Sequence, residues 1–188
     1  MTALFDQCFK LLLGAEKGFT DDPDDKGNWT GGIIGKGLCR GTKYGISAAS
    51  YPDEDIFNLT VERAKALYRM GYWVLGTDPI TRVMSTCDIL PPALAYLFFD
   101  AAVNNGLTNA RRWLQIAVNA KSDGIIGINS INAIATHTRT SENTNIVCKE
   151  FVAQRINHMG KLSLWPLYGL GWSRRLAALP YNAMTVTG

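Results

Sequence analysis

The segment from Pro91 to Gly106 constrains the fold more than any other part of the chain. It reads PPALAYLFFDAAVNNG, and prolines are tolerated in the first turn of a helix. If the segment is helical, apolar side chains cover nearly its whole circumference; they are Leu94, Tyr96, Leu97, Phe98, Phe99, Ala101 and Val103. A helix that is apolar on every side is a buried helix. We therefore predict that this segment is the central helix of the fold.

Two polar residues interrupt the apolar surface of this central helix. Asp100 and Asn104 are four positions apart, so they lie on the same face of a helix. Two interpretations remain open for the pair. The side chains either line a cleft and hydrogen-bond a ligand, or they anchor neighbouring loops.

Most of the remaining sequence also predicts helices. Apolar residues recur at helical spacing between Leu4 and Leu12, which indicates an amphipathic first helix with Thr2 as its cap. The segment TVERAKALYRM begins with Thr60, a good capping residue, and predicts a second helix. Further helices are predicted after a cap at Thr108, from Asn129 or Ser130 to Ala135, from Asn145 to Met159, and over a short final segment GWSRRLAAL. Residues 27–45 are instead rich in glycine and favour a small β-hairpin or a structured loop.

The composition narrows the class of protein. The 188 residues are 47% hydrophobic and 19% charged, which is typical of a soluble globular chain. The net charge of +3 does not by itself indicate a nucleic-acid binder, although it suits an anionic polymer. We find no signal-peptide pattern and no apolar run long enough to span a membrane. We therefore expect a protein that remains in the cytosol, without membrane insertion, unless a partner moves it.

The cysteines and histidines do not indicate a metal site. None of the four cysteines forms a C-x-x-C pair with another; they are Cys8, Cys39, Cys87 and Cys148. We interpret them as ordinary buried or half-buried thiols in a reducing compartment. The chain has only two histidines, too few for a histidine-rich centre. The cysteines and histidines therefore predict no metal site of the thiolate or imidazole kind, and we expect no cofactor.

The most unusual stretch is GAEKGFTDDPDDKGNWTGG, from Gly14 to Gly32. Four aspartates crowd a glycine-rich loop shortly after a lone glutamate, Glu16. A calcium loop of the EF-hand type is excluded, because Lys26 and Ile33 occupy positions that require oxygen ligands. Three interpretations remain: a looser oxygen-ligand site, a solvated acidic turn, and one wall of an active site.

The active-site interpretation has a chemical basis. Cleavage of a glycosidic bond needs a protonated carboxylic acid at the leaving oxygen, and a second group that stabilises the cationic transition state or handles a water. A glutamate at the end of an amphipathic helix suits the first task, because apolar neighbours raise the pKa of a carboxyl group. Glu16 and Asp25 fit this layout, and the glycines around them let the backbone fold around a sugar.

These motifs resemble those of one enzyme family. AEKGFTDDPDDKGNWTGG, followed by GTKYGISAASYP, resembles the N-terminal signature of the phage endolysins and secretion-associated muramidases of glycoside hydrolase family 108. In this resemblance Glu16 falls on the catalytic glutamate and Phe19 on an aromatic position. The signature ends in a closing block, a threonine that leads into an aromatic residue, a glycine and an isoleucine. This block falls on Thr42, Tyr44, Gly45 and Ile46. Further along, ALYRMGYW resembles a tyrosine-rich helix end, and FFDAAVNNGLTNARRWLQIAV with DGIIGINSINAI resembles a peptidoglycan-binding C-terminal region.

The chain departs from the family pattern in its acidic loop. Lys17 stands where the family usually has the first of two glycines, and the stretch between Asp25 and Thr42 is longer than in the shortest members. Related phage lysozymes have a threonine at a fixed distance after the aspartate, and here Gly31 occupies that position. Thr30 or Thr42 must then serve, and we favour Thr42 because it belongs to the closing block.

The resemblance implies a mainly helical, α+β lysozyme-like fold with two lobes and a small β-hairpin or irregular region near the N-terminus. We expect residues 1–90 to form a catalytic lobe and residues 91–188 a helical C-terminal lobe, both within one integrated domain. The implied activity is that of a muramidase, which hydrolyses the β-1,4 bond between N-acetylmuramic acid and N-acetylglucosamine.

The resemblance also implies roles for individual residues. Glu16 would act as the general acid, Asp25 would stabilise the transition state or position a water, and Thr42 would help to orient that water. The candidate substrate-binding residues are Tyr44, Tyr72, Trp73, Asp100 and Asn104, the aromatic ones as stacking platforms for sugar rings.

The biological setting follows from the same resemblance. An endolysin accumulates in the host bacterial cytoplasm, here expected as a monomer, and reaches the wall in the periplasm through holes made by a holin-type partner. A muramidase loaded by a secretion system would look the same in sequence. A lytic transglycosylase and a non-catalytic peptidoglycan-binding protein remain alternatives. A nucleic-acid partner is not expected, because lysine and arginine are scattered and form no stripe.

Overall fold

The computed structural model describes residues 2–14 and 18–187. The predicted general acid, Glu16, lies outside these described residues. The chain forms two compact units, one made of Met1–Cys8 with Gly71–Gly188 and the other of Phe9–Met70. We call the first the helical unit and the second the loop unit. The predicted lobes over residues 1–90 and 91–188 stay a prediction.

Helices dominate the described part of the chain. They are α1 (Ala3–Leu13), α2 (Val61–Tyr72), α3 (Pro92–Asn105), α4 (Leu107–Ala117), α5 (Ile128–His137), α6 (Ser141–Met159) and α7 (Trp165–Met184). The strands are β1 (Phe19–Thr20), β2 (Thr42–Lys43), β3 (Ile46–Ser47), β4 (Val74–Thr77) and β5 (Met84–Thr86). Single 3-10 turns lie at Lys26–Asn28 and Cys87–Ile89. The predicted mainly helical fold class with a small β portion is confirmed.

Helix α3 is the centre of the helical unit, as the sequence predicts. It packs against α4, α6 and α7, and its residues from Leu94 to Ala102 are all buried. Phe99 contacts the rings of Phe5 and Trp73 edge-on, with centroid distances of 5.7 and 5.3 Å. Edge-to-face pairs of this kind add to the stabilisation that comes from buried area alone. The apolar pattern of the segment therefore reflects burial on every side.

Threonine side chains cap two helices. At the start of α2, the Thr60 hydroxyl oxygen accepts a hydrogen bond from the Arg63 amide at 3.1 Å, as predicted. Thr140 caps α6 in the same way by accepting from the Asn143 amide at 3.2 Å, so α6 begins before the predicted start. The predicted cap at Thr108 is wrong, because α4 begins one residue earlier, at Leu107.

Helix α7 is longer than the short final helix that the sequence predicts. It spans 20 residues, although glycine and proline interrupt its sequence. Pro166 lies in the first turn, where proline is tolerated. Gly169 packs against Trp165, whose indole would lie 2.9 Å from a Cβ at this position. Among the described residues no helix, α7 included, is long and apolar enough to cross a membrane.

Strands β4 and β5 form a hairpin that was not predicted from the sequence. The carboxylate of Asp78, in its turn, accepts hydrogen bonds from the Ile80 and Thr81 amides at 3.0 and 2.7 Å. Its other oxygen accepts from the Ile128 amide at 2.9 Å, so one side chain caps both the turn and the start of α5. Hydrogen bonds from the Thr81 and Ile128 amides lower the pKa of Asp78 below its usual range.

The loop unit contains a three-stranded antiparallel sheet in the order β1-β2-β3. Tyr44 and Gly45 join β2 to β3 with φ values of 53° and 74°. Positive φ at both central residues defines a type I′ turn, whose twist matches that of the flanking strands. A Cβ at Gly45 would collide with the hydroxyl of Tyr68, so this position requires glycine.

The four cysteines are free thiols. Cys8 and Cys87 are buried and Cys148 is half-buried, as predicted. Cys39 is exposed, so the prediction is wrong for this thiol. Burial raises the pKa of Cys8 to about 12 and that of Cys148 to about 11. These two thiols are therefore protonated near neutral pH, and the thiolate is the reactive form.

Candidate active site

The acidic loop is assembled around one completely buried side chain, Asn28. Its amide nitrogen donates to the Asp22 carbonyl at 3.0 Å, and its amide oxygen accepts from the Thr42 hydroxyl at 2.7 Å. Its backbone carbonyl accepts from the amides of Arg40 and Gly41 at 2.8 and 3.1 Å. A buried amide must satisfy its donors and acceptors, and here these bonds fasten the acidic turn to strand β2.

Asp25 occupies the N-cap of the 3-10 turn at Lys26–Asn28. Its Oδ1 accepts from the Gly27 amide at 2.8 Å, and its carbonyl accepts from the Asn28 amide at 3.0 Å. The side chain is exposed, and its Oδ2 has no hydrogen-bond partner within the described parts of the chain. The carboxylate is therefore oriented by one oxygen while the other is open to solvent.

Thr42 joins the same hydrogen-bonded cluster from strand β2. Its half-buried hydroxyl gives its proton to Asn28 and keeps lone pairs that accept from a water. Asp25 and Thr42 are thus each one hydrogen bond away from Asn28. The structure brings together two of the three predicted catalytic residues through a residue that the sequence analysis did not single out.

The other polar groups of the loop mainly hold the loop together. Asp22 Oδ1 accepts from the Asp24 amide at 3.0 Å, and the Trp29 indole donates to the Pro23 carbonyl at 2.8 Å. These bonds have the local pattern of a polar turn. Within residues 2–14 and 18–187, no cluster of three or more histidine, cysteine, aspartate or glutamate side chains is arranged to hold a metal ion.

Tyr44 lies in the type I′ turn of the loop unit and is half-buried. The Tyr68 hydroxyl donates to its carbonyl at 3.2 Å, and the Lys43 ammonium lies 5.5 Å from its ring centroid. The Tyr44 carbonyl is therefore held by a hydrogen bond, and the Tyr44 ring lies next to a cation. Its predicted role as a stacking platform stays a prediction.

The remaining predicted binding residues belong to the helical unit, where two of them are core residues. The Trp73 side chain has no solvent-exposed surface, so it offers no face to a sugar. Asp100 is 1% exposed and pairs with Arg155 and Arg175, each at 2.6 Å. Both predictions are corrected, because the pattern that marked these residues reflects packing and a buried ion pair.

Tyr72 and Asn104 keep some solvent exposure. Tyr72 is half-buried at the end of α2, and Asn104 is exposed on α3. The Asn104 amide donates to the Asp100 carbonyl at 2.7 Å, which leaves its amide oxygen for another partner. Their predicted contacts with substrate stay predictions.

Asn28 is the residue that sequence reasoning missed. It follows the aspartate-rich turn and precedes the glycine-rich stretch, and its amide is a side chain that both donates and accepts. A loop with many polar backbone groups needs such a residue at its centre. The sequence feature that could have identified Asn28 is therefore an asparagine placed between a polar turn and a glycine-rich stretch.

The region predicted to resemble a peptidoglycan-binding module is organised by buried Gln115 of α4. Its amide nitrogen donates to the Asp123 carboxylate at 2.9 Å and to the Ser130 hydroxyl at 3.1 Å. Its amide oxygen accepts from the Gly124 amide at 2.7 Å. These bonds shape the turn before α5, and wall binding by this region stays a prediction.

Comparisons with known proteins identify the fold and the family of this chain. The chain has no match among curated proteins. Among solved structures, Brucella abortus SagA is similar with a TM-score of 0.71 and 22% sequence identity, over 97% of this chain and 94% of that chain. At this identity the similarity establishes the fold. The glycosyl hydrolase 108 family matches residues 9–106, which contain the whole acidic loop and strands β1 to β3.

The family match covers just over half of the chain. The matched residues include the positions of Glu16, Asp25 and Thr42, and the family is one of glycosyl hydrolases. The protein therefore belongs to the glycosyl hydrolase 108 family and is a glycosidase that hydrolyses peptidoglycan.

Proposed function

We propose that the protein is a muramidase that cleaves the β-1,4 bond between N-acetylmuramic acid and N-acetylglucosamine. Glu16, at the position of the family's glutamate, protonates the leaving glycosidic oxygen. This general-acid step is required because a sugar alkoxide is a poor leaving group.

Asp25 supplies the second carboxylate. Its Oδ1 is held by the Gly27 amide at 2.8 Å, while its exposed Oδ2 faces positive charge at the anomeric carbon or accepts a proton from the attacking water. Thr42 accepts a hydrogen bond from that water, since its own proton is donated to Asn28 at 2.7 Å. The hydroxyl is therefore an oriented acceptor at the site.

The observation that carries the proposal is the shared anchoring of Asp25 and Thr42 on Asn28. A catalytic group acts well only when its neighbours lock its position. Asn28 holds the Thr42 hydroxyl with its side-chain amide oxygen and the Asp25 carbonyl with its backbone amide, and the neighbouring Gly27 amide holds the Asp25 carboxylate. A group that holds water favours hydrolysis over the water-free reaction of a lytic transglycosylase.

The decisive experiment is a digest of purified Gram-negative peptidoglycan by the wild type and by Glu16→Gln. Fragments are weighed by mass spectrometry before and after borohydride reduction. We expect muramic ends that borohydride reduces, and we expect the variant to release none. Anhydro-muramic ends would instead assign the protein to the transglycosylases, and wall binding without release would assign it to non-catalytic binders.

We further propose that the protein acts as an endolysin. It accumulates as a monomer in the cytoplasm of the host bacterium and reaches the wall through a holin-type partner. Co-expression with a holin in a Gram-negative host tests this role. Lysis should require both proteins, and lysis by the enzyme alone would contradict the need for a partner.

A further inference from the structure

The loop unit contains a cavity of about 550 Å³ that the chemistry proposed above does not use. Its volume lies in the range of about 300–1,000 Å³ that is typical of small-molecule sites. Aromatic rings and planar charged groups share its lining; the main ones are Phe19, Phe57, Arg40, Asp21, Asp53 and Asp55. We call it the Phe57 cavity.

Phe57 presents a fixed aromatic surface to this cavity. Its side chain is 65% exposed, and Phe19 contacts its ring edge-on with a centroid distance of 5.2 Å. The Lys43 ammonium donates to the Phe57 carbonyl at 2.8 Å and holds the backbone. An aromatic ring that is both fixed and exposed recovers free energy when an apolar surface covers it.

Two of the charged groups around the ring, Arg40 and Asp55, are held by hydrogen bonds before any ligand arrives. Arg40 donates one N–H to the Pro52 carbonyl at 3.0 Å, and a guanidinium has four further N–H donors. The Asp55 carboxylate accepts from the Asn58 side chain at 2.8 Å, and this hydrogen bond lowers the pKa of Asp55. Asp53 is exposed, and within the described residues its carboxylate has no partner.

This combination matches the surface of a pyranose ring. A sugar has one face of C–H groups, which covers an aromatic ring, and an edge of hydroxyls, which bridge carboxylate and guanidinium groups. Phosphate-bearing ligands fit less well, because three aspartates outnumber the single arginine and repel an anion.

The cavity is close along the chain to the predicted general acid, because Phe19 lines it. Phe19 follows Glu16 by three residues, so the chain alone keeps their Cα atoms within about 11 Å of each other. A polymeric substrate that passes the acid is therefore within reach of the cavity.

We propose that the Phe57 cavity is a saccharide-binding site that holds a sugar of the peptidoglycan strand. Phe57 is its stacking platform, and Asp53 and Arg40 hydrogen-bond the sugar hydroxyls. The identity of the polymer rests on the proposed function, whereas the recognition of a pyranose rests on the cavity.

The test measures binding of an N-acetylglucosamine tetramer by calorimetry, in the Glu16→Gln background to prevent turnover. Phe57→Ala should weaken binding about five- to tenfold, and Asp53→Asn should weaken it by a smaller factor. Ile33→Ala is the matched control, because Ile33 is 59% exposed in the same unit and does not line the cavity. Melting temperatures of all variants establish that they remain folded.

The outcomes separate this inference from the proposed function. Wild-type affinity in both Phe57→Ala and Asp53→Asn, or no binding of the tetramer at all, would overturn the saccharide site even if the wall is digested. Selective weakening by these two variants would support the site even if the digest shows no muramidase products. In the active enzyme, the same variants should raise KM for cell-wall sacculi and leave kcat nearly unchanged.

Discussion

Helix α3 of the helical unit and the segment between β1 and β2 of the loop unit are stabilised by opposite means. In the helical unit, α3 buries a continuous run of apolar residues, and the Asp100–Arg155 ion pair is the exception within that core. In the loop unit, the segment between β1 and β2 has few apolar contacts and is organised by the hydrogen bonds of Asn28. The helix is held mainly by apolar area removed from water, and the segment largely by satisfied polar groups.

This difference explains where the predicted catalytic residues can lie. A buried apolar helix has no room for a hydrated carboxylate, because removing charge from water is costly. A loop with a polar centre exposes side chains such as Asp25 and fixes them at the same time. Functional groups are often found on loops that a rigid scaffold positions.

The largest expected effect concerns the Asp100–Arg155 ion pair, which is buried in an otherwise apolar environment on α3. Asp100→Asn should lower the free energy of unfolding by about 3–5 kcal/mol, because it leaves Arg155 buried with its charge uncompensated. Urea unfolding measures the change. Asp53→Asn, the same substitution at an exposed position, should stay within about 0.5 kcal/mol of the wild type. Equal effects from the two variants would mean that the ion pair contributes little.

The next test removes the polar centre of the loop unit. Asn28→Ala should cost about 1–3 kcal/mol, because it leaves the Asp22 carbonyl and the Thr42 hydroxyl without their partner. Hydrogen exchange should accelerate between residues 22 and 42 and stay slow in α3. Faster exchange in α3 as well would break the distinction between the two units.

A smaller effect is expected for Thr42, which hydrogen-bonds to Asn28 from strand β2. Thr42→Val removes the hydrogen bond to Asn28 and should cost about 1 kcal/mol, together with most of the wall-digesting activity. Thr42→Ser keeps the hydroxyl and should restore both stability and activity. If Thr42→Val digests sacculi at the wild-type rate, Thr42 has no role in orienting the water.

The smallest effect concerns pH and the hairpin of the helical unit. The folded-state pKa of Asp78 is lowered by its amide hydrogen bonds, so its stabilisation is present above the usual aspartate pKa of about 4. The stabilisation is lost as the pH falls through the folded-state pKa. Unfolding of wild type and Asp78→Asn should therefore differ at pH 7 and converge in acid. A constant difference at every pH would show that ionised Asp78 is not the cause.

Local patterns were sufficient where one short segment decided the outcome. The apolar circumference of residues 92–105 predicted a central helix, and Thr60 predicted the start of α2, because caps and burial patterns are encoded within a few residues. The order of motifs in the acidic loop led to the family that residues 9–106 match.

The same patterns were misleading where distant residues decided the environment. Trp73 looked like a sugar platform, but Phe5 and Phe99 enclose it. Asp100 looked like a cleft residue, but Arg155 lies opposite it, 55 positions further along the chain. Helix α7 looked short because glycine and proline weaken helices locally, and its packing against the core outweighs that preference.

The sequence by itself determined the helical class, the family, and the residue types from which a glycosidase site is built. Only the tertiary structure decided which polar residues are buried partners and which face solvent, and it selected Asn28 as the centre of the loop. The physical reason is that helix propensity and motif spacing are properties of neighbouring residues. Burial and hydrogen-bond satisfaction instead depend on segments that meet only when the chain folds.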